Sequence, residues 1–343
     1  MNIVITGGAG FLGARLARTL LQLGQFSVNG QAPQSIGQIT LVDQFNPPSD
    51  LLADARVRAC VGDLNALLSP GPQGVPAVPA GTDVVYHLAA AVSAECEADF
   101  DLGLRSNLAA TQALLAACRA LGTQPVLVFA SSLAVFGCPA EAEMPSPWVV
   151  SDTTLPTPQT SYGIQKFIGE QLLADYTRKG YLRGRAARLM TVSVRPGKPN
   201  GAASGFFSGM VREPLAGLPG ACPVAPQTEV ALSSPARTIE GLLRVGQCSD
   251  TEWGPRTAIN LPALVTTVGE MAAALERVAG PEAAALIDWT PDANIRRIVR
   301  SWPGRVESPR AQGLGLHADP DFDTIIRDYA RENPTAVKWS LRG

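Results

Sequence analysis

Four residues in the middle of the chain have the types and spacing to move protons. Ser131 and Ser132 follow an apolar run, 126–130, that reads as a parallel strand. Hydroxyls just past the carboxyl end of such a strand face the crevice where open α/β sheets bind ligands. Tyr162 and Lys166 open a helix predicted over 161–179, and their spacing of four puts both on one helical face. With five Tyr and four Lys in 343 residues, such a pair seldom arises by chance. A phenol beside an ammonium group suits acid–base chemistry. A free Tyr has a pKa near ~10, and a neighbouring positive charge brings it toward a working base.

The elements that position these groups begin at the first residue. Asn2–Thr6 is a short apolar, β-branched run, which reads as a buried parallel strand. It stops in a turn containing Gly7, Gly8, Gly10 and Gly13, and an amphipathic helix follows over Phe11–Leu23. Strand, glycine turn and helix together form the context of a dinucleotide site. Gly7 can take backbone angles closed to other residues, Gly10 lets the backbone approach a pyrophosphate, and Gly13 lets the helix pack close to the strand. The helix N-terminus, opening with Phe11 and Leu12, offers free N–H groups to phosphate.

A second strand is predicted over 39–42 and closes on Asp43, after a Gly/Gln/Ser-rich connection, 24–38. An acid in that place accepts hydrogen bonds from the adenosine ribose and repels a 2′-phosphate, so NAD is expected over NADP. Further strands are expected over 57–61, 83–88 and 186–194, and a helix over 103–121 with Asn107 inside it. The stretches 73–82 and 138–160 are rich in Pro and read as loops. His87 has an apolar neighbourhood and reads as a packed core histidine. After 194 the strand–helix rhythm weakens. A short strand over 258–261 and a helix over 268–278 follow, and the Trp- and Arg-bearing stretch 288–319 reads as a docked surface with stacked Arg.

The pattern is α/β: a Rossmann doubly wound parallel sheet with helices on both faces and a smaller C-terminal substrate lobe. The expected division puts 1–194 and a returning segment, about 233–262, in the dinucleotide-binding half. The lobe takes about 195–232 and 263–343. A net charge of −2 offers no basic field to nucleic acid or a membrane surface. No apolar run reaches the ~18 residues of a membrane helix. Met1 leads straight into the first strand with no basic stretch and apolar segment ahead of it, so a cytoplasmic protein is expected. The six cysteines are scattered without a CxxC pair and read as reduced thiols. Two histidines leave no histidine metal site.

Thr6 to Gly13, with glycines at three-residue spacing, Asp63-Leu64, His87-Leu88-Ala89-Ala90, Asn107, Ser131-Ser132 and Tyr162…Lys166 together resemble the extended short-chain dehydrogenase/reductases. This family includes the nucleotide-sugar epimerases and dehydratases. The resemblance runs over essentially the whole chain. It implies NAD as cofactor and a catalytic trio of Ser132, Tyr162 and Lys166. It also implies cofactor contacts from Gly7, Gly10, Phe11, Leu12, Gly13, Asp43, Asp63, Leu64, Leu88, Ala89, Ala90, Asn107 and Val192, with Tyr162 and Lys166 reaching the nicotinamide end.

Within the family, the segments 157–163, 194–200, 232–235 and 298–303 resemble enzymes that oxidise the 2-hydroxyl of a four-carbon sugar acid. The Asn-Val-Tyr-Gly-Pro-like turn usual in sugar-nucleotide enzymes is replaced here by Thr191-Val192-Ser193-Val194-Arg195-Pro196. The expected partners are a small sugar acid and a second copy of the chain, as a homodimer. A carboxylate substrate needs a cation, and Arg195, Lys198 and Arg237 are the candidates. Ser131, Asn200 and Ser234 are candidate readers of its other hydroxyls, beside Ser132 and Tyr162. The competing functions are a nucleotide-sugar epimerase or dehydratase, which recycles its NAD, and a non-catalytic NAD-sensing regulator. The intact trio argues against the second.

Overall fold

The computed structural model describes residues 1–69, 76–138, 148–197 and 202–342. Strand β1 (Asn2–Thr6) holds Ile3, Val4 and Ile5 at 1% exposure or less, which requires cover on both faces. The chain then supplies β2 (Gln38–Asp43), β3 (Val57–Val61), β4 (Val84–His87), β5 (Val126–Ser132) and β6 (Arg183–Leu189). Shorter strands follow: β7 (Thr191–Val192), β8 (Glu229–Ser233), β9 (Ile259–Asn260) and β10 (Leu264–Thr267). Seven of these form one parallel sheet in the order β9-β6-β5-β4-β1-β2-β3.

The period of two along each strand sends alternate side chains to opposite faces. Ile3, Ile5, Leu41, Tyr86 and Val128 pack with α1 (Phe11–Leu23), while Val4, Val42, Val85, Leu127 and Phe129 pack with α2 (Ala110–Leu121) and α3 (Ser161–Arg178). Each large side chain buried in this way contributes roughly 1.5–3 kcal/mol. The chain runs outward from β1 through β2 to β3, then crosses to β4 on the other side of β1. That reversal opens a crevice beyond the carboxyl ends of β1 and β4.

A second core gathers Phe207, Met210, Leu232, Met271, Leu275, Phe322 and Ile326. It is built by α4 (Phe206–Leu215), α6 (Val268–Ala279), α7 (Phe322–Glu332) and the small sheet β7-β8-β10. Between α4 and α6 the chain returns to the first core. There α5 (Pro235–Gln247) buries Ile239, Leu242 and Val245, and β9 pairs with β6. A later return differs from the expected boundary: Ala311, Leu314 and Leu316, read as lobe, pack in the first core. Arg310 secures that segment with hydrogen bonds to the carbonyls of Trp253, Pro255 and Thr257.

Two elements differ from the periodicity reading. The run expected as one strand over 186–194 is divided after Leu189. Its second part, β7, leaves the main sheet and pairs Thr191 with Leu232 and Val192 with Ser233. The helix expected from Gly103 starts earlier, at Phe100, and passes through a π-helical segment, Leu104–Ala109, before α2. Packing explains the wider turn. A Cβ at Gly103 would lie 2.5 Å from Gln165 Nε2, and Asn107 is drawn inward by hydrogen bonds to Ala91 and Gln165. The loop expected over 138–160 contains a short strand, Val149–Val150, paired with Arg305–Val306. Its residues 139–147, and residues 73–75 of the loop at 73–82, lie outside the described residues. No helix among the described residues is long and apolar enough to cross a membrane.

Candidate active site

The glycine turn opens the site. Gly7 has φ +73° and donates its N–H to the Val42 carbonyl at 2.8 Å, tying the turn to β2. A Cβ on Gly13 would stand 2.1 Å from the Gly7 carbonyl oxygen, so only glycine allows α1 to pass so close to the turn. Gly10 caps α1 with no side-chain hydrogen bond, which leaves the N-terminal N–H groups of the helix to face the crevice. Asp43, at the end of β2, accepts the Ala9 N–H at 3.0 Å and the Phe45 N–H at 3.1 Å. Its carboxylate is thereby fixed at the rim.

The crevice is a cleft of about 800 Å³ that runs from Asp43 to Arg195. Gly7, Gly10, Phe11, Leu12 and Gly13 line it at the turn, Asp63 and Leu64 beside β3, Leu88, Ala89 and Ala90 after β4, and Val192 on β7. Asp63 also caps the next helix by accepting the Ala66 N–H at 3.1 Å. Bare backbone, a helix N-terminus and a rim carboxylate form a cradle for a dinucleotide. Asn107 does not line the cleft. Its amide accepts the Ala91 N–H at 2.8 Å and donates to the Ala91 carbonyl and to Gln165 Oε1, so it braces the loop after β4 from behind. His87 is also behind the wall, between the hydroxyls of Thr6 (2.6 Å) and Thr111 (2.9 Å). Burial pulls it down to about 3, so it is a neutral core residue at physiological pH.

At the other end of the cleft, Ser132, Tyr162 and Lys166 come together from β5 and α3. The Ser132 side chain faces the Tyr162 phenol across this end of the cleft, near enough to act on its proton. Burial pushes that phenol up to about 12, while Ser132 and the Arg195 charge act to lower it. Lys166 is buried, and its Nζ donates to the Ala130 carbonyl at 2.8 Å and lies 5.7 Å from the Tyr162 ring centre. Burial pulls Lys166 down to about 8, with Cys96 and Glu170 acting to raise it.

The candidate substrate contacts divide. Arg195 lines the cleft. Its N–H donates to Ser208 Oγ and its carbonyl accepts from Arg212, but among the described residues no carboxylate pairs with its guanidinium. Arg237 is elsewhere, in an ion pair with Glu240 at 2.6 Å on the exposed face of α5. Ser234 is 2% exposed and spends its hydroxyl capping α5, accepting the Arg237 N–H at 3.1 Å, while its own N–H donates to Asp319. Ser131 reaches the cleft wall, but its hydroxyl is turned to Glu170. Lys198 and Asn200 lie outside the described residues. The reading as a docked surface missed Trp302, which lines the cleft, and nothing in its local sequence separates it from the stacked residues around it.

Dinucleotide cradle and Ser–Tyr–Lys cluster define an NAD-binding short-chain dehydrogenase/reductase type of site. The model of the NAD dependent epimerase/dehydratase family matches residues 3–228, and the chain belongs to that family. Its cofactor is NAD. The chain is 47% identical to a D-erythronate dehydrogenase of Cupriavidus necator over 334 residues, covering 97% of this chain and 98% of the relative. It is 38% identical to a D-erythronate dehydrogenase of Haemophilus influenzae over 331 residues, covering 96% and 98%. Among solved structures, a nucleoside-diphosphate-sugar epimerase from Agrobacterium tumefaciens superposes with a TM-score of 0.83 at 38% identity, covering 98% of this chain and 95% of that one.

The rim carboxylate carries a prediction on cofactor choice. Two unit charges about 4 Å apart in an effective dielectric of ~20 repel by roughly 4 kcal/mol. Asp43→Ser is therefore expected to raise the ratio of kcat/KM for NADP over NAD by at least ~10-fold, and Asp43→Arg by more. An unmodified enzyme that uses NADP better than NAD would remove this role from Asp43.

Proposed function

We propose that this NAD-dependent oxidoreductase oxidises the 2-hydroxyl of a small sugar acid, D-erythronate, to 2-dehydro-D-erythronate. The observation that carries the reading is Arg195, a cleft-lining guanidinium without a carboxylate partner among the described residues, close enough to Tyr162 for its charge to act on the phenol. In a 2-hydroxy acid the carboxylate is bonded to the carbon that reacts. Its cation must therefore share the cleft with the base, as Arg195 does. The two curated relatives support the same substrate.

In this reading Ser132 donates to the substrate oxygen and holds it against Tyr162. Tyr162 takes the hydroxyl proton. Lys166 supplies the positive charge that favours the phenolate, and Arg195 adds a second from the substrate side. The glycine turn, Asp43, Asp63-Leu64, Leu88 to Ala90 and Val192 would hold NAD, which when bound would supply the hydride acceptor. In reverse the same contacts polarise the ketone.

The exposed Phe100, Ile164 and Ile168, at 60%, 46% and 36% exposure on adjoining helices, support a homodimer. Five buried, unpaired cysteines support a reducing, cytoplasmic environment.

Arg195→Met is expected to lower kcat/KM for the sugar acid by roughly 10–100-fold, the worth of a charged hydrogen-bonded contact, with NAD affinity unchanged. The substrate itself is tested by kcat/KM for D-erythronate, L-threonate and 2-hydroxybutyrate. D-Erythronate should lead, and the deoxy acid should fall behind by ~10²-fold or more, because groups that bind hydroxyls are then left unpaired. Equal values for all three would overturn the substrate assignment.

A further inference from the structure

Helix α3 joins three consecutive residues at the end of β5 to one stripe of its own surface. Tyr162 faces Ser132 in the cleft, Lys166 donates to the Ala130 carbonyl at 2.8 Å, and Glu170 accepts the Ser131 hydroxyl at 2.5 Å. Spacings of four keep all three side chains on one helical face. The chemistry above uses the first two and leaves Glu170 without a part.

Glu170 is nevertheless built in on every side. It is 4% exposed, and Ser131 and Arg188 around it are 2% and 4% exposed. Its Oε1 also accepts Arg188 Nε at 2.9 Å, and its Oε2 accepts the second Arg188 nitrogen at 2.8 Å. Arg188 stands opposite Ser131 in the β5–β6 register and lies 4.8 Å over the Phe136 ring. A two-pronged ion pair of this kind fixes the carboxylate in place and orientation. The Ser131 hydroxyl is thus held by a carboxylate that is itself fixed.

We propose that Glu170 is a positioning residue for the oxidation: it clamps Ser131 and thereby aims the Ser132 hydroxyl at Tyr162. Adjacent strand residues point to opposite faces, so a side chain fixed at 131 sets the rotation of the backbone that carries 132. Lys166 fixes the preceding carbonyl in the same way. The proposal rests on Ser132 and Tyr162 doing the acid–base chemistry on a sugar acid. A misplacement of about 1 Å at such a pair costs on the order of 10² in rate.

Ser131→Ala removes the hydroxyl and leaves the Glu170–Arg188 ion pair whole. Its kcat is expected to fall at least ~10-fold, with KM for NAD and for D-erythronate within about twofold and Tm close to that of the unmodified enzyme. Glu170→Gln should lower kcat in the same way. The double variant should be no slower than Glu170→Gln, because both act through one contact. If Glu170→Gln fails to fold, Ser131→Ala decides alone. An unchanged kcat in Ser131→Ala, or a loss that tracks weaker NAD binding and a lower Tm, overturns the clamp. The unmodified enzyme separates the two levels of the argument. If it forms no NADH from D-erythronate, the sugar-acid reading fails and takes the clamp with it. If it does, and Ser131→Ala is equally fast, the clamp alone fails.

Discussion

Tyr162→Phe is expected to cut turnover by roughly 10³-fold or more while leaving NAD binding within about twofold, since the deleted hydroxyl acts on substrate. The ring would keep its place on α3, where Gly163 packs so closely that a Cβ there would meet the Ala134 carbonyl oxygen at 2.1 Å. Only the proton acceptor is removed. The pH dependence follows from the same group. Burial holds the Tyr162 phenol up near 12 against Ser132 and Arg195. A base must lose its proton before it can take one, so oxidation is expected to accelerate as pH rises toward the phenol's value, with a smaller gain per pH unit above about 8, where Lys166 gives up its charge. A flat profile, or near-normal turnover in Tyr162→Phe, would remove Tyr162 as the base.

Ser132→Ala is expected to lower kcat by ~10²–10⁴, the range for lost polarising or proton-transfer groups. The Ser132 side chain also accepts the Ala134 N–H at 3.1 Å, where it caps a short 3-10 turn, Leu133–Val135. Removing that cap is worth only about 1 kcal/mol of stability. A large loss of kcat with a small fall in Tm would place the effect in the chemistry. A loss of kcat matched by unfolding would place it in the turn. Measuring kcat and Tm on the same preparation separates the two.

The parts of the site that can be read from sequence are those written in consecutive residues. The glycine turn declares itself because Gly7 needs a positive φ and Gly13 leaves no room for a Cβ, and both demands fall within seven residues. Tyr162 and Lys166 are legible because one helical turn puts them on one face. Asp43 is legible because it ends a strand. Where contacts are made across elements, local pattern loses its force. Ser234 and Arg237 lie in a plausible segment, yet one caps α5 and the other pairs along it with Glu240. Ser131 sits next to Ser132, but Glu170, 39 residues on, claims its hydroxyl. Arg188 and Glu170 are joined by tertiary folding alone, and neither residue's neighbours announce the pair. The break after Leu189 is invisible for a related reason. No Gly or Pro marks it, and the partners of its two halves, in β9 and β8, arrive some forty to seventy residues later.

The most direct test of the central claim is NADH formation when purified enzyme and NAD meet D-erythronate, with product identified as the 2-keto acid. One NADH is expected for each molecule of 2-dehydro-D-erythronate, at a rate proportional to enzyme and lost in Tyr162→Phe. No net NADH from D-erythronate, with interconversion of a UDP- or dTDP-sugar by the same preparation, would contradict it and assign the cleft to nucleotide-sugar chemistry.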